Sequence, residues 1–324
     1  IMSVFDTVQR VVGNRLSLIL IGAMLLVLPL LMTSSFQMRL AVVVWVYAMA
    51  AIGLNLLMGF AGQVSLGHAG FFGIGAYSVA LGPSQLGLSP ALSLPAGIAF
   101  CGLLALLLGR PILKLKGHYL AVATLGLGML IFMILSNEVE LTGGPDGMRV
   151  PRVVIMGWKV KGTETWYWIT GIALLISVWL ALNLINSPTG LALRAIHDSE
   201  VAASVLGVDV ARYKLIVFVI SACFASAAGG LLALYNGHIT PGVSDFLVSV
   251  QLVTMVVLGG MGSVGGSLVG AALIIILPQF LTVMHEYEHA FLGLIMILTM
   301  VFMRSGIVPS ISKAIRSRRH DSNS

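Results

Sequence analysis

The chain has 324 residues, of which 58% are hydrophobic and 9% charged, and its mean hydropathy is +1.02. A soluble domain carries about 25% charged residues, and its polar surface could not hide this much apolar side chain. Lipid is the expected solvent for most of the chain, and a water-soluble domain is excluded. The net charge of +6 sits mostly at the ends of apolar runs, which marks membrane topology rather than nucleic-acid binding.

Apolar runs lie near 16–33, 39–58, 68–82, 91–109, 118–136, 167–185, 214–235, 247–259, 267–284 and 290–303. The first follows Arg10 and Arg15, as a signal peptide would, but it is long enough to span and no A-x-A-like cleavage site follows. It is read as a retained helix. The runs at 68–82, 247–259 and 290–303 are short for a hydrocarbon core of about 30 Å. The expected fold is an all-α integral membrane protein, a polytopic helical bundle of about 8–10 spans with broken glycine-rich segments. Residues 1–15 are an N-terminal cytoplasmic segment, 16–304 the transmembrane domain and 305–324 a basic cytoplasmic tail. Eight full crossings plus irregular pieces is the alternative to ten.

Lys and Arg set the orientation. With the N-terminus inside and ten crossings, thirteen basic residues fall inside and five outside. Four of those five share an outer loop, 137–166, with Glu138, Glu140, Asp146 and Glu164. That loop contains LTGGPDG, a turn signal. Cys101 and Cys223 each lie within an apolar run, where a small hydrophobe is expected rather than a disulfide or metal ligand.

The strongest local signal runs from Gly53 to Tyr77, GLNLLMGFAGQVSLGHAGFFGIGAY. Its glycines include Gly59, Gly62, Gly67 and Gly70, and its polar residues Asn55, Gln63, Ser65 and His68. Glycine costs about 1 kcal/mol in a helix interior, but in a membrane it lets backbones approach closely. Polar groups at membrane depth survive only when buried in protein or lining a wet path. The segment is therefore read as lining a translocation route, against tight packing with locally satisfied polar groups. A second break, LGGMGSVGGSLVG at 258–270, holds Gly259, Gly260, Gly262, Gly265 and Gly266. At an offset of 200 residues, Gly59 meets Gly259, Gly62 meets Gly262, Val64 meets Val264 and Gly70 meets Gly270. Paired breaks in two halves mark candidate pathways, and Gln251 and Thr254 precede the second break. No Gly-Lys-Ser/Thr occurs, so neither break is a phosphate loop. Any ATP dependence must come from a partner, and no cofactor is expected.

Residues 187–214 read SPTGLALRAIHDSEVAASVLGVDVARYK. Ser187 to Gly190 is a turn. Leu191 to Val205 reads as a short helix carrying Arg194, His197, Asp198 and Glu200, ended by Gly207, with Asp209 capping the next helix. A helix lying along the inner surface is what a motor subunit needs to grip; an interfacial helix without a partner is the alternative.

These blocks, with VLGGMGSVGGSLVGA, resemble the signature segments of the branched-chain amino-acid ABC transporter permeases, and the M-type (LivM-like) subunit more than the H-type. The order covers roughly 40–305. The resemblance implies an importer with a second, H-type permease, two ATP-binding subunits docking inside and a periplasmic substrate-binding protein, set in a bacterial inner membrane. It implies leucine, isoleucine, valine or a relative as cargo; permeases of the same family serve urea, short-chain amides and aromatic acids. By position, Glu200, Ala202, Ala203 and Gly207 resemble an E-A-A…G coupling loop, here with one residue more between the glutamate and the glycine. With Gly190, Arg194 and Asp198 they form the expected ATPase-coupling set.

Two sequence features bear on other functional classes. His285-Glu286-Tyr287-Glu288-His289 matches the H-E-x-x-H zinc-protease pattern. It lies at a span junction, where a tight turn would break the helix that zinc needs, and the acidic loop precedes it. No metal site is expected. An autonomous secondary transporter needs coupling charges inside the membrane, and His68 is the one clear ionisable side chain in a glycine break.

Overall fold

The computed structural model describes residues 4–32, 34–155, 158–160, 162–280, 293 and 306–310. Helices dominate: α1 (Val4–Leu31), α2 (Ser35–Asn55), α3 (His68–Leu86), α4 (Pro90–Ile112), α5 (His118–Asn137), α6 (Val139–Thr142), α7 (Thr163–Asn186), α8 (Pro188–Asp198), α9 (Glu200–Val205), α10 (Val210–Asn236), α11 (Phe246–Gly259) and α12 (Val264–Phe280). Among the described residues, five helical segments are long and apolar enough to cross a bilayer: 35–60, 90–112, 118–137, 163–186 and 210–236. Shorter apolar helices cover 18–31, 246–259 and 264–279. The chain is a polytopic all-α membrane protein. Nine of the ten apolar runs fall on helices over their described residues; residues 281–284 of the 267–284 run and the 290–303 run apart from Gly293 lie outside the described residues, as do the H-E-x-x-H segment at 285–289 and the tail from 311.

The first helix begins at Val4 rather than near residue 16, because nothing in residues 4–15 breaks a helix except the single Gly13. The 137–166 loop holds small elements that an all-α reading omits. Strand β1 (Met148–Arg149) pairs antiparallel with β4 (His238–Ile239), and β2 (Val154–Ile155) with β3 (Trp158–Lys159). Gly143, Gly144 and Gly147 all have positive φ, the backbone that the LTGGPDG signal foretold.

α2 is the axis of the bundle. In its spanning window 83% of residues are buried, against 22% in α5, which leaves α5 with an apolar face for lipid or another subunit. α7, α10 and α12 pack around α2, and α10 in turn packs on α3 and α4. Trp45 of α2 meets Tyr167 of α7 edge-on at 6.1 Å, and Tyr47 stacks on Phe72 of α3 at 5.6 Å. Where α3 crosses α10, methyl groups on Gly75 and Gly229 would overlap the backbone of Ser226 and Phe72. Small residues bring these two helices into backbone contact, which in lipid replaces the missing hydrophobic drive between helices.

Candidate functional site

The first glycine-rich break starts inside a helix. After Asn55, α2 continues as a π-helical turn over Leu56–Phe60, then the chain runs irregularly from Gly62 to Gly67 before α3 begins at His68. π-turns inside helices gather at functional sites. The irregular run enters the bundle: His68 meets Ser221, eleven residues into α10 from Val210, or about 17 Å along that helix. α3 therefore begins near mid-depth. In the irregular run just before it, Leu66 N donates to Thr124 Oγ1 of α5 at 3.1 Å, and within its first turn the orphan Ala69 N donates to Ser249 Oγ of α11 at 3.0 Å.

α11 spans 14 residues, about 21 Å, and ends at the second break. The two breaks touch. Asn55 Nδ2 donates to Ser263 O and Ser267 Oγ, each at 2.8 Å, and its Oδ1 accepts from Gly262 N at 2.8 Å. Gly260 O lies 3.4 Å from the same Nδ2. A methyl group on Gly59 would overlap Gly262 N, one on Gly259 or Gly266 would overlap the other's carbonyl, and one on Gly67 would overlap Thr124 O. Gly70 packs against Gly128. Gly265 has open space around its Cα, so it takes no part in close approach. Gly62 and Gly262, paired by the 200-residue offset, have φ of +65° and +76°.

The polar residues of the breaks divide. Asn55 is consumed by the clamp just described. Ser221 Oγ donates to Gly53 O at 2.7 Å, so it can only accept from His68 Nε2, 2.5 Å away. His68 Nδ1 is left to accept from Ser65 Oγ at 3.0 Å. The directions specify one tautomer and leave both ring nitrogens engaged. Thr254 donates to Val250 O at 2.8 Å within α11, and Gln251 is half-buried on the same helix. Gln63 differs from all of these. It is 3% exposed, and neither its amide nitrogen nor its amide oxygen has a partner.

The segment expected to be one helix over 191–205 is two. α8 starts at Pro188, capped by Ser187, and stops at Asp198; Ser199 Oγ then accepts from Ala202 N at 3.2 Å and starts α9. Ser199 is extended, with φ −163°, because its side chain competes for the backbone amide as N-cap residues do. Gly207 turns the chain with φ +83°, and Asp209 caps α10 by accepting from Arg212 N at 3.1 Å. Gly190 lies flush against Ile185 O.

α8 abuts the first break. The Arg194 guanidinium lies 5.8 Å from the Phe60 ring centroid, and Arg194 also donates to Ile185 O at 3.4 Å. Gly62 lies against the His197 ring. Ala203 is buried and Ala202 exposed. Val201, Val205 and Leu206 stand 73%, 81% and 80% exposed, so α9 and the residue that caps its C-terminus present apolar side chains outward. Asp198 is exposed, near His197. Glu200 pairs with Lys214 of α10. Lys214 itself is buried. The sequence offered no signal for this pair, because the two residues are fourteen apart and on different helices. Ser221, Ser263 and Ser267 escaped notice for a similar reason, since lone serines on apolar helices carry no pattern. Among the described residues, no group of three or more His, Cys, Asp or Glu could hold a metal.

A family described as branched-chain amino acid transport system, permease component, matches residues 37–300. The chain is 32% identical over 302 residues to the high-affinity branched-chain amino acid transport system permease protein LivM of Escherichia coli K12, covering 86% of this chain and 71% of that one. It is 28% identical over 294 residues to LivH of the same organism, covering 82% and 93%, and 26% identical over 289 residues to BraD of Pseudomonas aeruginosa, covering 82% and 93%. No solved structure matches significantly. With breaks, clamp and paired surface helices lying inside the matched region, the chain belongs to the branched-chain amino acid transport permease family.

Proposed function

We propose that the chain forms half of the membrane path of an ATP-driven importer of branched-chain or related hydrophobic amino acids. It performs no covalent chemistry of its own. Partner ATP-binding subunits, two in number, dock on α8 and α9 from the cytoplasm; a second, H-type permease completes the path, and a periplasmic binding protein delivers cargo. The protein sits in the bacterial inner membrane with both termini cytoplasmic. Relatives named for branched-chain amino acid transport support the cargo; permeases for urea, short-chain amides or aromatic acids are the second reading.

The observation that carries the coupling is the contact between α8 and the first break. A push on the exposed Val201, Val205 and Leu206 moves α9, and α9 packs on α8, whose Arg194 and His197 bear on Phe60 and Gly62. Those residues lead into the irregular Gln63–Gly67 run, which bends more readily than a hydrogen-bonded helix. Interfaces of this kind switch between discrete packings rather than deform smoothly.

The test is a mild-detergent isolation of the tagged chain from its native host, followed by reconstitution with the co-purifying subunits and binding protein. Two ATP-binding subunits, a second permease and ATP-dependent uptake of leucine, isoleucine or valine are expected. A stable chain recovered alone, or uptake indifferent to ATP, contradicts the reading.

A further inference from the structure

The Gln63 side-chain amide lacks any hydrogen-bond partner although it is buried, while the backbone N–H of the residue donates to Leu57 O at 3.1 Å. Such an amide costs about 1–3 kcal/mol per unsatisfied group, and a buried orphan calls for an explanation such as a ligand. The residue lines a cavity of about 200 Å³ between the first break, the α4–α5 turn and α10. One water needs only about 10–15 Å³ on this measure, so the space admits a small molecule.

The lining is amphipathic. Gln63, Lys116, His118, Glu200 and Lys214 supply polar groups of both signs of charge, and Val64, Leu115, Leu120 and Ala121 apolar side chains. A second cavity of about 360 Å³ shares Lys116, Glu200 and Lys214, so the ion pair stands between the two. A zwitterion fits these groups once the unpartnered Gln63 amide, sealed from the cavity as it stands, turns into it. The carboxylate then takes the Gln63 amide N–H and a lysine ammonium. The ammonium gives a proton contact to the Gln63 amide oxygen and the Glu200 carboxylate. A simple anion would leave the Gln63 oxygen orphaned, and a simple cation its two N–H groups.

We infer that this cavity is an exit site that holds the zwitterionic head of an α-amino acid, with its apolar side chain against Val64 and Leu120, between the translocation path and release. The inference rests on the proposed function. It adds a named stopping point on the side where the coupling helices lie, so cargo and motor act on the same residues: Glu200 starts α9 and also walls the cavity.

The experiment uses the reconstituted complex carrying Val64→Cys and Cys223→Ser, with the Cys223→Ser complex as background, because Cys101 is buried but Cys223 only half-buried. The rate of modification by a water-soluble maleimide is measured with leucine, with 4-methylpentanoate, which lacks the ammonium, and with 3-methylbutylamine, which lacks the carboxylate. Leucine is expected to slow modification by about threefold or more, and neither amputated analogue to do so. Adding Gln63→Leu abolishes the protection. Equal protection by 4-methylpentanoate, or none by leucine, overturns the inference. If Val64→Cys does not assemble, Ala121→Cys reports on the same wall. A parent complex that still imports leucine under ATP while leucine protects neither cysteine removes the exit site alone. A parent that imports no branched-chain amino acid removes the proposed cargo as well.

Discussion

The Asn55 carboxamide oxygen accepts the Gly262 N–H at 2.8 Å, joining residues 207 apart in the chain. With its Nδ2 on Ser263 and Ser267, one side chain closes the second break onto the first. The end of α11 and the start of α12 thus lose their freedom without any continuous helix between them. Asn55→Leu, nearly the same size, leaves buried backbone and hydroxyl groups unpaired. The expected loss is on the order of 2–4 kcal/mol, read as a lower midpoint of thermal aggregation in detergent. An unchanged midpoint would show that the clamp is incidental.

Glycines in the second break should differ sharply. A methyl group at Gly259 would overlap Gly266 O, whereas one at Gly265 meets nothing. Gly259→Ala is expected to cost about 1–3 kcal/mol through overpacking. Gly265→Ala, inside α12, should be neutral or gain up to about 1 kcal/mol. Equal effects at the two positions in a stability assay would count against the described contact.

The left-handed backbone at Gly62 and Gly262 makes a separate prediction. Any L-residue there carries a strain of about 1–2 kcal/mol, with Asn the least penalised and β-branched residues the most. Transport and expression should follow the order glycine, asparagine, alanine, valine at both sites. A valine variant as active as the parent contradicts the assigned backbone.

The Glu200–Lys214 pair separates a structural role from a docking role. Removing Glu200 alone strands a buried ammonium, and breaking such a pair costs about 3–5 kcal/mol when fully buried, less here because Glu200 is partly exposed. Glu200→Gln combined with Lys214→Met removes both charges. If the pair is chiefly internal, the double variant recovers most of the stability that Glu200→Gln loses, measured by detergent melting. If Glu200 instead serves only a partner, the double variant recovers none.

Much of this was legible in advance, and the residues say why. Apolar runs of about 20 residues mark spans because lipid forces helical hydrogen bonding, and that physics placed α2, α4, α5, α7 and α10 within a few residues. The glycine runs located both breaks, since few other residues tolerate backbone contact. Their partners were not legible. Asn55 looked like a path-lining residue, yet it is engaged by Gly262, Ser263 and Ser267, a pairing set by how α2 meets α12. His68 looked like a lone ionisable group, yet Ser65 and Ser221 take both nitrogens. The split of α8 from α9 turned on Ser199, whose capping preference competes with its tolerance inside a helix. Gln63 drew no more notice than Asn55 from the sequence; only its burial without a partner singles it out.

Docking on α9 predicts a clean separation of folding from assembly. Val201 and Leu206 are solvent-exposed, so Val201→Asp with Leu206→Asp should shift stability by no more than about 0.5 kcal/mol per site. Recovery of ATP-binding subunits with the tagged chain should fall steeply, since apolar anchors dominate interfaces. Full recovery with both aspartates in place would move the docking surface elsewhere.

The central claim is that ATP acts on the first break through α8. The most direct measurement is the maleimide reactivity of Val64→Cys in the reconstituted complex, without nucleotide and with ATP trapped by vanadate. The account predicts a change of about threefold or more on trapping, lost when Arg194→Ala and His197→Ala uncouple α8 from Phe60 and Gly62. A rate that trapping leaves unchanged, in a complex that still hydrolyses ATP and imports its cargo, contradicts it.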